Sequence, residues 1–190
     1  MSETKRVDPT VTGLFLIGFI TLLIGIAGIL NGSEADTAGT VTWSALTFLG
    51  GGWAAGAIVS LGFVFLVLAY MAGKCGNAFA VALFAFVAIV FVATPELMAG
   101  GDGINLVFIF IAVFFFIFAL VALLIGAPKM LVILLAFVAL LFVFFGMFLQ
   151  ADNPDNAKTM AYLFGVFGIL SFLVATYLAV ALSTEKLPVM

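Results

Sequence analysis

The chain has 190 residues, 66% of them hydrophobic and 8% charged, with a mean hydropathy of +1.43. Soluble domains are nearer half apolar and a quarter charged, so this composition excludes a water-soluble enzyme and indicates a membrane protein. Six Lys and Arg against nine Asp and Glu leave no basic face for nucleic acid, and with no histidine and only Cys75 there is neither an intrachain disulfide nor His-based zinc or triad chemistry.

A hydrocarbon core of roughly 30 Å takes about 20 apolar helical residues per crossing. Six stretches meet that length, 11–31, 53–73, 78–98, 104–126, 129–149 and 159–183, and residues 1–190 are read as one all-α transmembrane domain of six helices. The first window is of full span length, and Asn31-Gly32-Ser33 after it lacks a small-x-small cleavage pattern, so it is expected to be a helix and not a signal peptide. Between the first and second windows, the stretch 40–49 is flanked by Trp43 and Trp53 and is expected at the outer membrane surface, because Trp favours the interface. A re-entrant segment is the alternative there. The later connections, Gly73-Lys74-Cys75-Gly76-Asn77, Gly100-Gly101-Asp102-Gly103, Gly126-Ala127-Pro128-Lys129 and Asp152-Asn153-Pro154-Asp155, carry the Gly and Pro that end helices and turn the chain; Asn31-Gly32-Ser33-Glu34 reads the same way.

Loop charges set the orientation. Lys5, Arg6, Lys74, Lys129 and Lys186 fall on one side and only Lys158 on the other, with Glu34, Asp36, Glu96, Asp102, Asp152 and Asp155 beside it. The expectation is a multi-pass plasma-membrane protein with both termini cytoplasmic. Cys75 reads as a bystander in a cytoplasmic turn, with palmitoylation as the sharper alternative. The acidic loops read as a solvated rim.

Within the windows the only ionisable Asp, Glu, Lys or Arg away from a window's first residue is Glu96, at an edge after Pro95. Ion pumps and proton relays place such groups at depth, and haem-bearing subunits need axial ligands such as histidine, so neither class fits. The polar side chains at depth are Thr21, Ser60, Ser171, Thr176, Tyr162 and Tyr177. A conduit made of these is narrow and largely apolar, suited to a small neutral solute or a small weak acid. Gly18, Gly25 and Gly28, the pair Gly52 and Gly56, and Gly165 and Gly168 read first as close helix packing and second as an opened lumen. The 23 phenylalanines, densest from Phe108 to Phe118 and from Phe137 to Phe148, face lipid or neighbouring helices, with a few as gate candidates.

Four places resemble the acetate uptake transporter family, the succinate–acetate permease type. Asp8-Pro9-Thr10-Val11-Thr12-Gly13-Leu14 stands where the family has Asn-Pro-Ala-Pro-Leu-Gly-Leu, so that Pro9, Gly13 and Leu14 match. Gly76-Asn77-Ala78-Phe79 opens an aromatic-rich third helix in the same way. Gly126-Ala127-Pro128-Lys129 is similar to the family's Gly-Ala-Arg, and Ala175-Thr176-Tyr177-Leu178-Ala179 with Leu187-Pro188 is similar to its closing motifs. The resemblance implies a homohexameric ring of six-helix protomers that takes up acetate or a similar short monocarboxylate, alone or with a proton. It places the narrow point at Ile17, with Phe15 or Phe19 as substitutes, at Val87, and at Phe137 or Val138.

The chain also departs from that family. Ala82, Ala85, Phe86 and Val87 stand where its third helix carries Thr, Ser and Tyr, and Ala72 or Gly73 replaces a carboxylate. An unpaired buried carboxylate costs several kcal/mol, so the acid is expected to cross in its neutral form. Two other readings stay open: a six-helix channel for a neutral solute such as urea or an amide, and a structural membrane subunit that transports nothing. No enzymatic activity, cofactor or metal is expected; the partners are the bilayer, further copies of the chain and the solute.

Overall fold

The computed structural model describes residues 9–34, 52–99 and 104–184. They form six helices and no strand: α1 Pro9–Glu34, α2 Gly52–Lys74, α3 Ala78–Ala99, α4 Ile104–Leu124, α5 Lys129–Leu149 and α6 Pro154–Thr184. Four of these, α1, α4, α5 and α6, are long and apolar enough to cross a membrane. The stretch 40–49 with Trp43, the Gly100–Gly103 connection, the terminal charges Lys5, Arg6 and Lys186, and the Leu187-Pro188 tail lie outside the described residues, as do the side chains of Trp53, Glu34 and Glu96 and the surroundings of Gly52 and Gly56.

The turns after α2 and α4 use one device. The Ala72 carbonyl accepts from the N–H of Asn77 at 3.0 Å and the Gly73 carbonyl from Gly76 at 3.1 Å; one hairpin later, Ala122 accepts from Ala127 at 2.9 Å and Leu123 from Gly126 at 3.2 Å. These are Schellman caps, which satisfy the last carbonyls of a helix through a left-handed residue. That residue is Gly76 at φ +76° and Gly126 at φ +70°. Asn77 then starts the next helix, its Oδ1 accepting from the Ala80 N–H at 3.0 Å. Loss of such an N-cap costs about 1 kcal/mol, so Asn77→Ala should lower stability by that amount and Asn77→Asp should preserve it, as read by thermal unfolding in detergent.

Two boundaries differ from the sequence reading. α6 begins at Pro154 rather than near 159, because Asn153 caps it through Oδ1 to the Asp155 N–H at 2.9 Å and proline fits the first helical position. α1 continues through Asn31-Gly32-Ser33-Glu34, which the composition marks as a turn. The tertiary reason is Gly32: it is buried under the Tyr162 ring of α6, whose carbons lie 3.0 Å from where a Cβ would stand.

The most extensive helix contact joins α1 and α6, first and last in the chain. Gly18 meets Ala175, Gly25 meets Gly165 and Ile169, Gly28 meets Phe164 and Gly165, and Gly32 meets Tyr162. Residue numbers rise on one helix as they fall on the other, so the pair is antiparallel. The 3–4 spacing of these positions is the seam of left-handed helix packing. Without a hydrophobic drive between helices in lipid, such small-residue seams supply association through close van der Waals contact. The close-packing reading of Gly18, Gly25, Gly28, Gly165 and Gly168 therefore holds.

Extensive contacts also join α2 with α3, α4 with α5, and α5 with α6, whereas α1 with α2 and α3 with α4 touch over much shorter lengths. One contiguous buried core runs through all six helices. Its larger members include Phe65, Phe84 and Phe164.

Candidate functional site

The residues that the resemblance assigns to a narrow point separate into two groups. Ile17 on α1, Val87 on α3 and Val138 on α5 are buried in the common core. Phe137, half-buried, points its ring at Phe167 of α6 with centroids 5.8 Å apart. Phe15 and Phe19 lie on the outer face of α1, 43% and 57% exposed, which separates them from the buried set.

The motif positions are held by structural roles. Asp8 lies outside the described residues. Pro9 is the first residue of α1 and Leu14 is buried. Gly13 is the seat of the Phe84 ring of α3, which occupies the space a Cβ would take. Gly76 and Asn77 are the cap pair described above, and Phe79 is half-buried, edge-on to Phe118 of α4 at 6.0 Å. Phe84 thus ties α3 to α1 at Gly13 and, with centroids 6.0 Å apart, to Phe65 of α2. Sequence reading passed over Phe84; the one signal for it is a glycine on another helix, which has no local meaning.

Among the described residues, the two buried polar ones, Thr21 and Ser171, bond within their own helices. The Thr21 hydroxyl donates to the Gly18 carbonyl at 2.9 Å, and the Ser171 hydroxyl donates to Phe167 at 2.7 Å. Both bonds stay within their own helix, as expected for Ser and Thr in apolar surroundings. Ser60 and Tyr162 are exposed, and Thr176 and Tyr177 are half-buried. No cluster of His, Cys, Asp or Glu able to hold a metal occurs among the described residues.

At the end of the bundle that carries the turns after α2 and α4, Lys74 sits over the Tyr70 ring, 5.4 Å from its centroid. Such a cation–π contact holds a long cationic side chain at the edge of an apolar face. Lys129 opens α5 at the same end, and Lys158, in the first turns of α6, lies at the opposite one. Cys75 is exposed in the first turn.

The chemistry open to this core is narrow. It has no charged group among the described residues, two buried hydroxyls turned to their own backbone, and otherwise aliphatic and aromatic side chains with many alanines among them. Such a core excludes ions, because a charge placed there would lose its hydration with no partner in return. No family model matches the chain, and no curated protein or solved structure does either.

Proposed function

We propose that this chain is a six-span membrane conduit for acetate or a similar short monocarboxylic acid, which crosses in its protonated, neutral form. The observation that carries the reading is the placement of Ile17, Val87 and Val138: three alternate helices each bury a candidate narrow-point residue in a shared core with no ionisable group among the described residues. A carboxylate entering there would lose its hydration with no partner in return, whereas the neutral acid loses far less. Lys74 and Lys129 at one end against Lys158 at the other support a cytoplasmic position for the turn end and for both termini in the plasma membrane. The homohexameric ring belongs to the same proposal and rests on the family resemblance alone.

The test is entry of radiolabelled acetate into liposomes holding the purified protein, at pH 5 and pH 7, with urea in parallel. Acetate entry well above empty liposomes, faster at pH 5 and competed by other short monocarboxylates, is the expected result. Urea entry alone would replace the acid by a neutral amide. In a conducting protein, Val87→Tyr should change acetate flux at least several-fold, because a phenol would then stand in the apolar core; unchanged flux in a normally assembled variant removes Val87 from the path.

A second reading, a structural subunit that transports nothing, is favoured by one observation. The buried hydroxyls of Thr21 and Ser171 are committed to their own helices, so they contribute nothing to a continuous polar path. Silence for both acetate and urea, from protein that is folded and correctly inserted, selects it.

A further inference from the structure

Two of the three helix pairs are versions of one hairpin. In α3, Leu83-x-Ala85-Phe86-Val87-Ala88-x-x-Phe91-Val92 is repeated in α5 as Leu134-x-Ala136-Phe137-Val138-Ala139-x-x-Phe142-Val143. In the helices before them, Phe65, Ala69, Ala72 and Gly76 correspond to Phe115, Ala119, Ala122 and Gly126. The matched positions are the ones that pack. Phe65 stacks on Phe91 at 5.8 Å and 14°, and Phe115 stacks on Phe142 at 5.6 Å and 8°. Ala69, Ala72, Ala119 and Ala122 are all buried, and Gly76 and Gly126 are the two left-handed caps.

The copies are alike inside and unlike in how they are anchored. The second is locked to α6: Phe137 and Phe144 meet Phe167 at 5.8 and 5.5 Å, and Phe145 and Phe148 meet Phe164 at 5.2 and 5.4 Å, along an extensive helix contact. The first meets α4 over a short length, where Phe86 bridges to Phe114, Phe115 and Phe118 at 5.1, 5.5 and 5.6 Å. The position of α3 equivalent to Phe144 is Ala93, seven residues and two turns beyond Phe86 on the same face. On its other side, α2 touches α1 over a similarly short length, and α3 reaches α1 where the Phe84 ring sits on Gly13. Dispersion attraction fades within an ångström of ideal contact, so seams bridged by a few rings resist displacement less than seams in which backbones interlock.

We propose that the α2–α3 hairpin moves as one body against the block formed by α1, α4, α5 and α6, pivoting about the ring contacts in the turn-end half of α3, where Phe79 and Phe86 meet α4 and Phe84 sits on Gly13 of α1. The glycine seam of α1 and α6 and the ring ladder of α5 and α6 hold the block together. The Phe65–Phe91 stack, with the close approach of Gly62 to Ala88 and Val92, holds the hairpin together. Such a motion changes the distance from Val87, on the hairpin, to Val138 and Ile17, on the block. It is a property of the seams and is measured with no solute present, so it stands or falls independently of the transport reading.

Val67 and Ile117 are equivalent, exposed positions on the two copies, and Leu173 is exposed on α6. In a Cys75→Ser background reconstituted in liposomes, spin labels at Val67→Cys with Leu173→Cys, and separately at Ile117→Cys with Leu173→Cys, report each copy against one reference by pulsed dipolar spectroscopy. The expected result is a distance distribution at least twice as wide, or two-peaked, for the first pair and a single narrow one for the second. Equal widths overturn the proposal. Ala93→Phe, which restores the ring equivalent to Phe144, should narrow the first distribution towards the second; a folded Ala93→Phe protein with the first distribution still as wide also overturns it. The width comparison stands whether or not that variant folds.

Discussion

Gly168→Leu should abolish stable folding. A Cβ at residue 168 would lie 2.6 Å from the Gly25 Cα and 2.7 Å from the Thr21 carbonyl oxygen, both backbone atoms that a rotamer change cannot clear. Only separation of α1 from α6 relieves the clash, and that opens the most extensive helix contact in the molecule. Overpacking a well-filled site costs about 1–3 kcal/mol even for added methylenes, and a whole isobutyl group against backbone lies beyond that range. Gly168→Ala should cost a good part of it. The contrast is Gly73→Ala, whose methyl would meet only Val81 at 3.5 Å, an ordinary contact. There the better helix propensity of alanine should leave stability unchanged or raised by about 0.5–1 kcal/mol. Thermal unfolding in detergent, followed by circular dichroism, separates the variants. A Gly168→Leu protein that melts like wild type would mean that α1 and α6 do not pack through this seam.

The second large effect is a coupled one, between Gly13 and Phe84. The Phe84 ring fills the space above Gly13, so Gly13→Ala drives a methyl into an aromatic ring buried on every other side. Phe84 cannot retreat easily, because it also packs on Phe65 of α2. Gly13→Ala alone should destabilise by about 1–3 kcal/mol. Phe84→Leu alone should also destabilise, through the gap it leaves. Together they should be milder than the sum, since the smaller side chain vacates the place the methyl needs. A coupling energy of about 0.5–3 kcal/mol is typical of residues in such contact. Strict additivity in the double-mutant cycle would show that α1 and α3 do not meet at Gly13. The outcome also bears on the resemblance: Gly13 is one of its matched motif positions, and here it has a packing reason to be glycine.

The same distinction runs through the other motif positions. Gly76 and Asn77 look like a family signature, yet a left-handed Schellman residue followed by an N-cap accounts for both residue types at that turn. Gly126 meets the identical demand fifty positions on, with Ala127 in place of Asn. Where a turn's geometry alone selects the residues, their recurrence carries little information about solute.

Composition and local chemistry determined much of this protein. Absence of charge over windows of span length forces helices, since in an apolar medium each backbone group must find its partner within its own segment. Gly and Pro mark the turns at 73–77 and 126–129 because only certain residues take a positive φ or lack an N–H. The close-packing role of the α1 and α6 glycines was legible from their spacing alone. What the sequence did not disclose was partnership. Gly32 reads as the end of a helix until Tyr162, 130 residues later, covers it and the helix runs on. Phe15, Phe19 and Ile17 are near neighbours of similar hydropathy, yet the first two face outward and the third is buried. In spans where nearly every residue is apolar, hydrophobic periodicity no longer separates inside from outside, so the fit of side-chain shapes between distant segments decides which face is core. The candidate narrow point is of that kind. Val87 and Val138 stand at matching places in a repeated hairpin, and only the tertiary structure shows one copy tightly seamed to α6 and the other lightly seamed to α4. Three of the four rings that seam the second copy to α6, Phe144, Phe145 and Phe148, are Ala93, Thr94 and Leu97 in the first, and no local rule ties the size of such side chains to the width of a seam that forms only when two hairpins meet.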